Sequence, residues 1–163
     1  MEDIIYHILT TDFRQSLWLL TMPEYSGIQH VSCWELQPYN VDGWEQEVSQ
    51  YRTNFNIDKD ERIIFIRDTT FWGSKNQGLV ITDRMVYMIE DNDYPENRAY
   101  FSWVLVDNAE FNGDGIIFNF TDGDTFEIPI KYFTKSGGEK KRKIGQMLAE
   151  VFSLIGEACR LYQ

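Results

Sequence analysis

Four groups of residues have types and spacings that could do chemistry. His30 and Cys33 stand three apart, which is half of a zinc site, but a tetrahedral site needs four ligands and no second pair exists in the chain. A packed imidazole and a buried thiol are expected there. The stretch Gly73-Ser74-Lys75-Asn76-Gln77-Gly78 places a lysine between two glycines, as a phosphate-binding loop does. Such a loop must run through Lys and Ser or Thr into a helix, whereas Leu79-Val80 opens a strand, so the glycines are expected to shape a turn. Ser74, Lys75 and Asn76 remain candidates for a loop contact with a ligand. Asp91, Asp93 and Glu96 crowd one segment, yet Glu96 stands where a calcium loop needs Gly, and a solvated acidic loop is expected.

The fourth group is basic: Lys131, Lys135, Lys140, Lys141, Arg142 and Lys143. Six cations against one acid, Glu139, give this segment +5 of a net charge of -11, which leaves -16 elsewhere. Four of the cations fall where a helix begins, at the positive end of its dipole, which costs about 0.3–1 kcal/mol for each exposed charge. Two readings stay open: a patch for an anion or an acidic partner, or cations paired with the acidic body of the protein. With two His, two Cys and no nucleophile in a recognisable elbow, catalysis is not expected, and neither is a metal or a cofactor.

These groups must be positioned by a chain of 163 residues, enough for one domain with an extension. Hydrophobic residues at 43% and aromatics at 15% predict a folded core. The acidity disfavours nucleic acid and anionic membranes over most of the surface. Two cysteines are too few for a disulfide framework and suit a reducing compartment, so the cytoplasm is expected. The apolar stretch from Ile4 to Leu20, broken by His7, Asp12 and Arg14, lacks the basic start of a signal peptide, and no apolar run reaches the roughly 18 residues of a membrane span.

Spacing of three and four in Ile5, Leu9, Phe13, Leu17 and Leu20 predicts a helix from near Asp3, and Trp44, Val48, Tyr51 and Phe55 predict a second over 43–53, capped by Asp42. Between them, Ile28 to Trp34 alternates as a short strand or packed coil. At Asp58 the apolar period shortens to two, which divides the chain into a helical extension, 1–57, and a β-domain, 58–163. Seven strands are predicted: Arg62–Arg67, Gly78–Thr82, Met85–Glu90, Arg98–Trp103, Asp107–Asn112, one carrying Ile116, Phe118 and Phe120, and one carrying Phe126, Ile128 and Ile130. Asn112-Gly113-Asp114-Gly115 and Thr121-Asp122-Gly123-Asp124 supply hairpin turns, and Pro129 marks an edge or a strand end. Ser136 and Glu139 form a capping box for a last helix, whose apolar stripe runs from Ile144 through Phe152 to Tyr162.

Asp68-Thr69-Thr70-Phe71 before Gly73-Ser74, Gly78 to Asp83, Tyr87, and Ser102-Trp103 resemble bacterial PH-like (pleckstrin-homology-like) domains over roughly 61–162. The resemblance implies an α+β fold: a seven-stranded antiparallel barrel of two orthogonal sheets, with the C-terminal helix plugging one open corner. It implies a non-catalytic interaction module that takes a protein or peptide partner, in some members by adding a strand to a sheet edge. Members that bind phosphoinositides use basic residues on the first two strands, where this chain offers Arg62, Arg67, Lys75 and Arg84. Arg62 and Arg67, five apart on a strand, are expected on opposite faces, so lipid binding is not expected. A second reading follows from the acidity: a small immunity-type inhibitor that neutralises a basic toxin or nuclease.

Overall fold

The computed structural model describes residues 34–36, 44–70, 74–90 and 98–161. They run β1 (Trp34–Leu36), α1 (Trp44–Asn54), β2 (Ile63–Asp68), β3 (Gly78–Thr82), β4 (Met85–Ile89), β5 (Arg98–Ser102), β6 (Val106–Phe111), β7 (Gly115–Phe120), β8 (Thr125–Pro129) and α2 (Gly138–Leu161). The fold is α+β, with an antiparallel sheet ordered β1-β2-β3-β4-β5 and a second ordered β6-β7-β8. Among the described residues, those up to Phe101 form one compact unit and those from Ser102 onward another. No described helix is long and apolar enough to cross a membrane.

In the first unit, α1 lays Val48, Tyr51 and Phe55 on Ile63, Ile66, Val80 and Ile89 of the sheet. Strict alternation would turn Ile63 and Ile66 to opposite faces. A bulge between Ile63 and Phe65 absorbs one residue and lets both face the helix. For the same reason the alternation expected to separate Arg62 from Arg67 does not carry through β2. The helix ends in a Schellman arrangement: Ile57 N–H donates to Arg52 O at 2.9 Å, Asn56 N–H donates to Thr53 O at 3.3 Å, and Asn56 takes the left-handed conformation at φ 54°. Arg52 then fastens the helix end to the next loop, donating to the carbonyls of Asp58 and Glu61 at 2.6 and 3.0 Å.

In the second unit the two hairpins form at the glycines that the turn residues predict. Gly113 and Gly123 sit at φ 105° and 93°, and the Asn112 side chain accepts from Asp114 and Gly115 N–H at 2.9 and 2.8 Å. The helix α2 packs Ile144, Leu148, Phe152 and Ile155, all buried, over this sheet. Its side chains also occupy backbone groups of the edge strand β6. Ser153 Oγ accepts from Ala109 N–H at 2.8 Å, and Arg160 donates to the carbonyls of Val106 and, at 3.1 Å, Asp107. So close an approach requires glycine. A Cβ on Gly156 would lie 2.4 Å from Val106 O. Helix propensity alone favours alanine by about 1 kcal/mol, but the obstacle is backbone and must move. Gly156→Ala is therefore expected to lower stability by about 1–3 kcal/mol, read as a lower urea midpoint.

All seven predicted strands are present, β3 with the predicted bounds, and Pro129 ends β8 at a sheet edge. The second helix forms over Trp44–Asn54. Three expectations change. An eighth strand, Trp34–Leu36, pairs with Phe65–Arg67, while residues 28–33 and the helix predicted from Asp3 lie outside the described residues, as does Asp42. No closed barrel forms among the described residues. At Trp103 the chain leaves β5 in a 3-10 turn, Trp103–Leu105, and β6 belongs to a separate three-stranded sheet. The capping box is also not built as predicted: α2 opens with Lys141 N–H on Gly137 O at 3.2 Å, and the Glu139 carboxylate turns forward onto Arg142 instead of back to Ser136. The change of texture at Asp58 marks the passage from helix to strand, and the division between compact units falls at Ser102.

Candidate functional site

The face of the five-stranded sheet that α1 covers carries Met85, Tyr87 and Ile89 on β4, two residues apart and therefore co-facial. On β5 the same period puts Arg98 and Tyr100 together. Because α1 stops at Asn54 and the left-handed Asn56 turns the chain away, the β4–β5 end of this face opens into a cleft of about 390 Å³. Asn54, Phe55, Asn56, Ala99 and these five residues line it. The volume is that of a site for a small ligand or a few side chains.

The aromatic pair at its centre is unequal. Tyr87 and Tyr100 stand 6.4 Å apart, ring centre to ring centre, tilted by 31°. Tyr100 is 72% exposed, whereas Tyr87 is anchored from behind, its hydroxyl donating to Glu61 Oε1 at 2.7 Å. Glu61 is only 6% exposed, and its other oxygen accepts from Thr82 Oγ1 at 2.6 Å. Thr82 in turn accepts from the N–H groups of Arg84 and Met85 at 3.1 and 2.8 Å, which closes the β3–β4 turn. The cleft floor therefore rests on a buried chain of hydrogen bonds rather than on packing alone.

Burial, and then the bond to Glu61 and the charges of Glu61 and Asp58, push the Tyr87 phenol well above its ordinary value of 10.0. The native state then keeps a proton that the unfolded chain releases as pH rises past about 10. This contribution is complete below that pH and is lost above it. The urea midpoint should fall in alkali beyond pH 10, and it should fall less steeply in Tyr87→Phe. Equal alkaline slopes for the two proteins would refute this assignment.

The loop candidates Ser74, Lys75 and Asn76 lie outside the cleft, in a loop folded around Asp68. Asp68 accepts from Tyr51 OH at 3.1 Å, Thr70 N–H at 2.8 Å and Lys75 N–H at 3.3 Å. The Lys75 ammonium sits 5.5 Å from the Tyr51 ring centre, and Ser74 Oγ donates to Asn76 Oδ1 at 2.7 Å. Asn54 Nδ2 joins this loop to the helix end by donating to Lys75 O at 2.8 Å.

The basic group is partly paired. Lys141 meets Asp114 at 3.1 Å, Arg142 holds Glu139 and lowers its pKa, and Lys131 lies 5.8 Å from the Tyr132 ring centre. Lys140 is half-buried, and Lys135 and Lys143 are exposed. His30 and Cys33, like Asp91, Asp93 and Glu96, lie outside the described residues, among which no group of three or more His, Cys, Asp or Glu could hold a metal. Burial raises the Cys159 thiol to about 11, which keeps it protonated near neutrality.

Sequence reasoning missed the cleft. Its lining comes from three elements, and only Asn56, in the left-handed position that ends α1, carries a local signal. No protein-family model, curated protein or solved structure matches the chain.

Proposed function

We propose that the chain is a non-catalytic binding protein of PH-like type, acting in a bacterial cytoplasm, whose β4–β5 cleft takes an extended segment of a partner protein. The observation that carries this reading is Tyr100, an aromatic side chain 72% exposed at the mouth of a cleft on β5, the terminal strand of its sheet. Tyrosines so placed are the commonest anchors of protein interfaces, because a rigid ring buries much area at little entropic cost. A segment lying along β5 would set its side chains against those of the cleft. The two antiparallel sheets followed by a C-terminal helix support the PH-like part of the reading.

Selection of a random heptapeptide library on the immobilised protein tests this. The native protein should enrich a consensus, and Tyr100→Ser should bind those peptides about 10-fold or more weakly. Peptides that bind both proteins equally, or no consensus at all, would count against the reading.

A second reading, the acidic inhibitor, draws on the outer face of the three-stranded sheet. There Glu110 and Glu127 flank Ile117 across the strands, and the turns add the exposed Asp114, Asp122 and Asp124. Tight association with a strongly basic nuclease that collapses as salt rises would favour it, whereas peptide binding indifferent to salt favours the cleft.

A further inference from the structure

We infer that the outer edge of β8 is a second docking surface, which takes an extended segment of a partner protein with lysine or arginine at every second position; this goes beyond the cleft and stands without it. The three-stranded sheet has two terminal strands, β6 and β8. On β6 the edge is occupied by Ser153 and Arg160 of α2. On β8, among the described residues, none hydrogen-bonds the outward backbone groups of Thr125 and Glu127. The ladder fixes which groups those are. Phe120 N–H donates to Asp124 O at 2.8 Å and Ile130 N–H donates to Asp114 O at 2.9 Å. Pairing alternates between these two bonds, so Phe126 and Ile128 bond to β7, while Thr125 and Glu127 turn N–H and C=O away from it.

The side chains decide the occupant. Thr125 and Glu127 stand on the outer face of the sheet, where Glu110 lies beyond Ile117, and Asp122 and Asp124 sit at the adjoining turn. Glu110, Asp122, Asp124 and Glu127 are exposed, and among the described residues none of them forms an ion pair. Asn112 Nδ2 donates to Glu127 Oε1 at 3.2 Å and holds that carboxylate on this face. A second copy of the chain does not fit the edge. Paired antiparallel about Glu127, it would set that carboxylate against its own twin, and Thr125 against Pro129, which has no N–H to give. A cation opposite Glu127 turns the repulsion into attraction, and the period of two keeps its neighbouring cations on the same acidic face.

A heptapeptide alternating lysine with valine, titrated into the full chain and followed by NMR amide shifts, tests this. The amides of Thr125 and Glu127 should shift most, the glutamate–valine counterpart should leave them unmoved, and binding should weaken as salt rises. In an antiparallel pair the residue opposite Glu127 exchanges both bonds with it, so methylating the lysine amides should abolish binding and methylating the valine amides should not. Glu127→Lys should weaken the lysine peptide about 5-fold or more, whereas Glu150→Lys, the same change at an exposed position of α2, should leave its binding unchanged. Tyr100→Ser should bind it as the native protein does. No shift at Thr125 and Glu127, equal binding of the two methylated forms, or an equal effect of the two lysine variants would overturn the inference. Loss of binding in Tyr100→Ser would put the peptide in the cleft, which overturns this inference and leaves the cleft reading standing.

Discussion

Phe152→Ala will cost the second unit about 3–5 kcal/mol. Phe152 is fully buried, and its ring meets three others: Trp103 at 5.6 Å, Phe118 at 5.3 Å and Phe133 at 5.6 Å. These rings come from the 3-10 turn that opens the unit, the middle of β7 and the segment before α2. Truncation leaves a cavity that all of them border and none can fill without leaving its rotamer. The check is the urea midpoint with intrinsic tryptophan emission, which should move together, since Trp103 is a wall of the cavity. A loss below about 1 kcal/mol would mean that the cluster repacks, against the account of a rigid aromatic centre.

Glu61→Ala also has a large expected effect and bears on the cleft. It takes an acceptor at 2.6–2.7 Å from two hydroxyls: Tyr87 loses its Glu61 partner, while Thr82 keeps the Met85 carbonyl at 3.2 Å. At about 1–3 kcal/mol for the Tyr87 hydroxyl and about 1 kcal/mol for the lost Thr82 bond, the expected loss is about 2–4 kcal/mol. Glu61→Gln keeps the shape and one acceptor and should cost about 1 kcal/mol. Denaturant unfolding of both variants gives the ratio. The alanine variant should also weaken peptide binding even where the protein remains folded, because Tyr87 loses the bond that fixes its ring beneath Tyr100. Equal stability of the two variants would show that the hydroxyls find other partners.

The contrast between these two regions explains what could be read from the chain beforehand. The second unit was nearly all legible, because its signals are local. Asn112-Gly113 and Asp122-Gly123 fix the hairpins, alternation fixes which residues of β7 are buried, and the stripe from Ile144 to Cys159 fixes the face of α2. The first unit was legible only element by element. The bulge after Ile63 and the pairing of Trp34–Leu36 with β2 depend on partners many residues away. The cleft is less legible still: it exists because α1 is too short to cover β4 and β5, and no window of sequence contains that mismatch of lengths. The basic group shows the reverse case. It stands out in the sequence, yet the structure pairs Lys141 and Arg142 with Asp114 and Glu139.

The central claim is that the β4–β5 cleft is where this protein meets its partner. Mapping amide resonances by NMR, as a library-selected peptide is titrated into the full chain, tests it most directly. The account predicts that the largest shifts fall on residues 54–56, on Met85–Ile89 and on Arg98–Tyr100. Shifts concentrated instead at Lys140–Lys143 or on the outer face of β6–β8, with Tyr87 and Tyr100 unmoved, would contradict it.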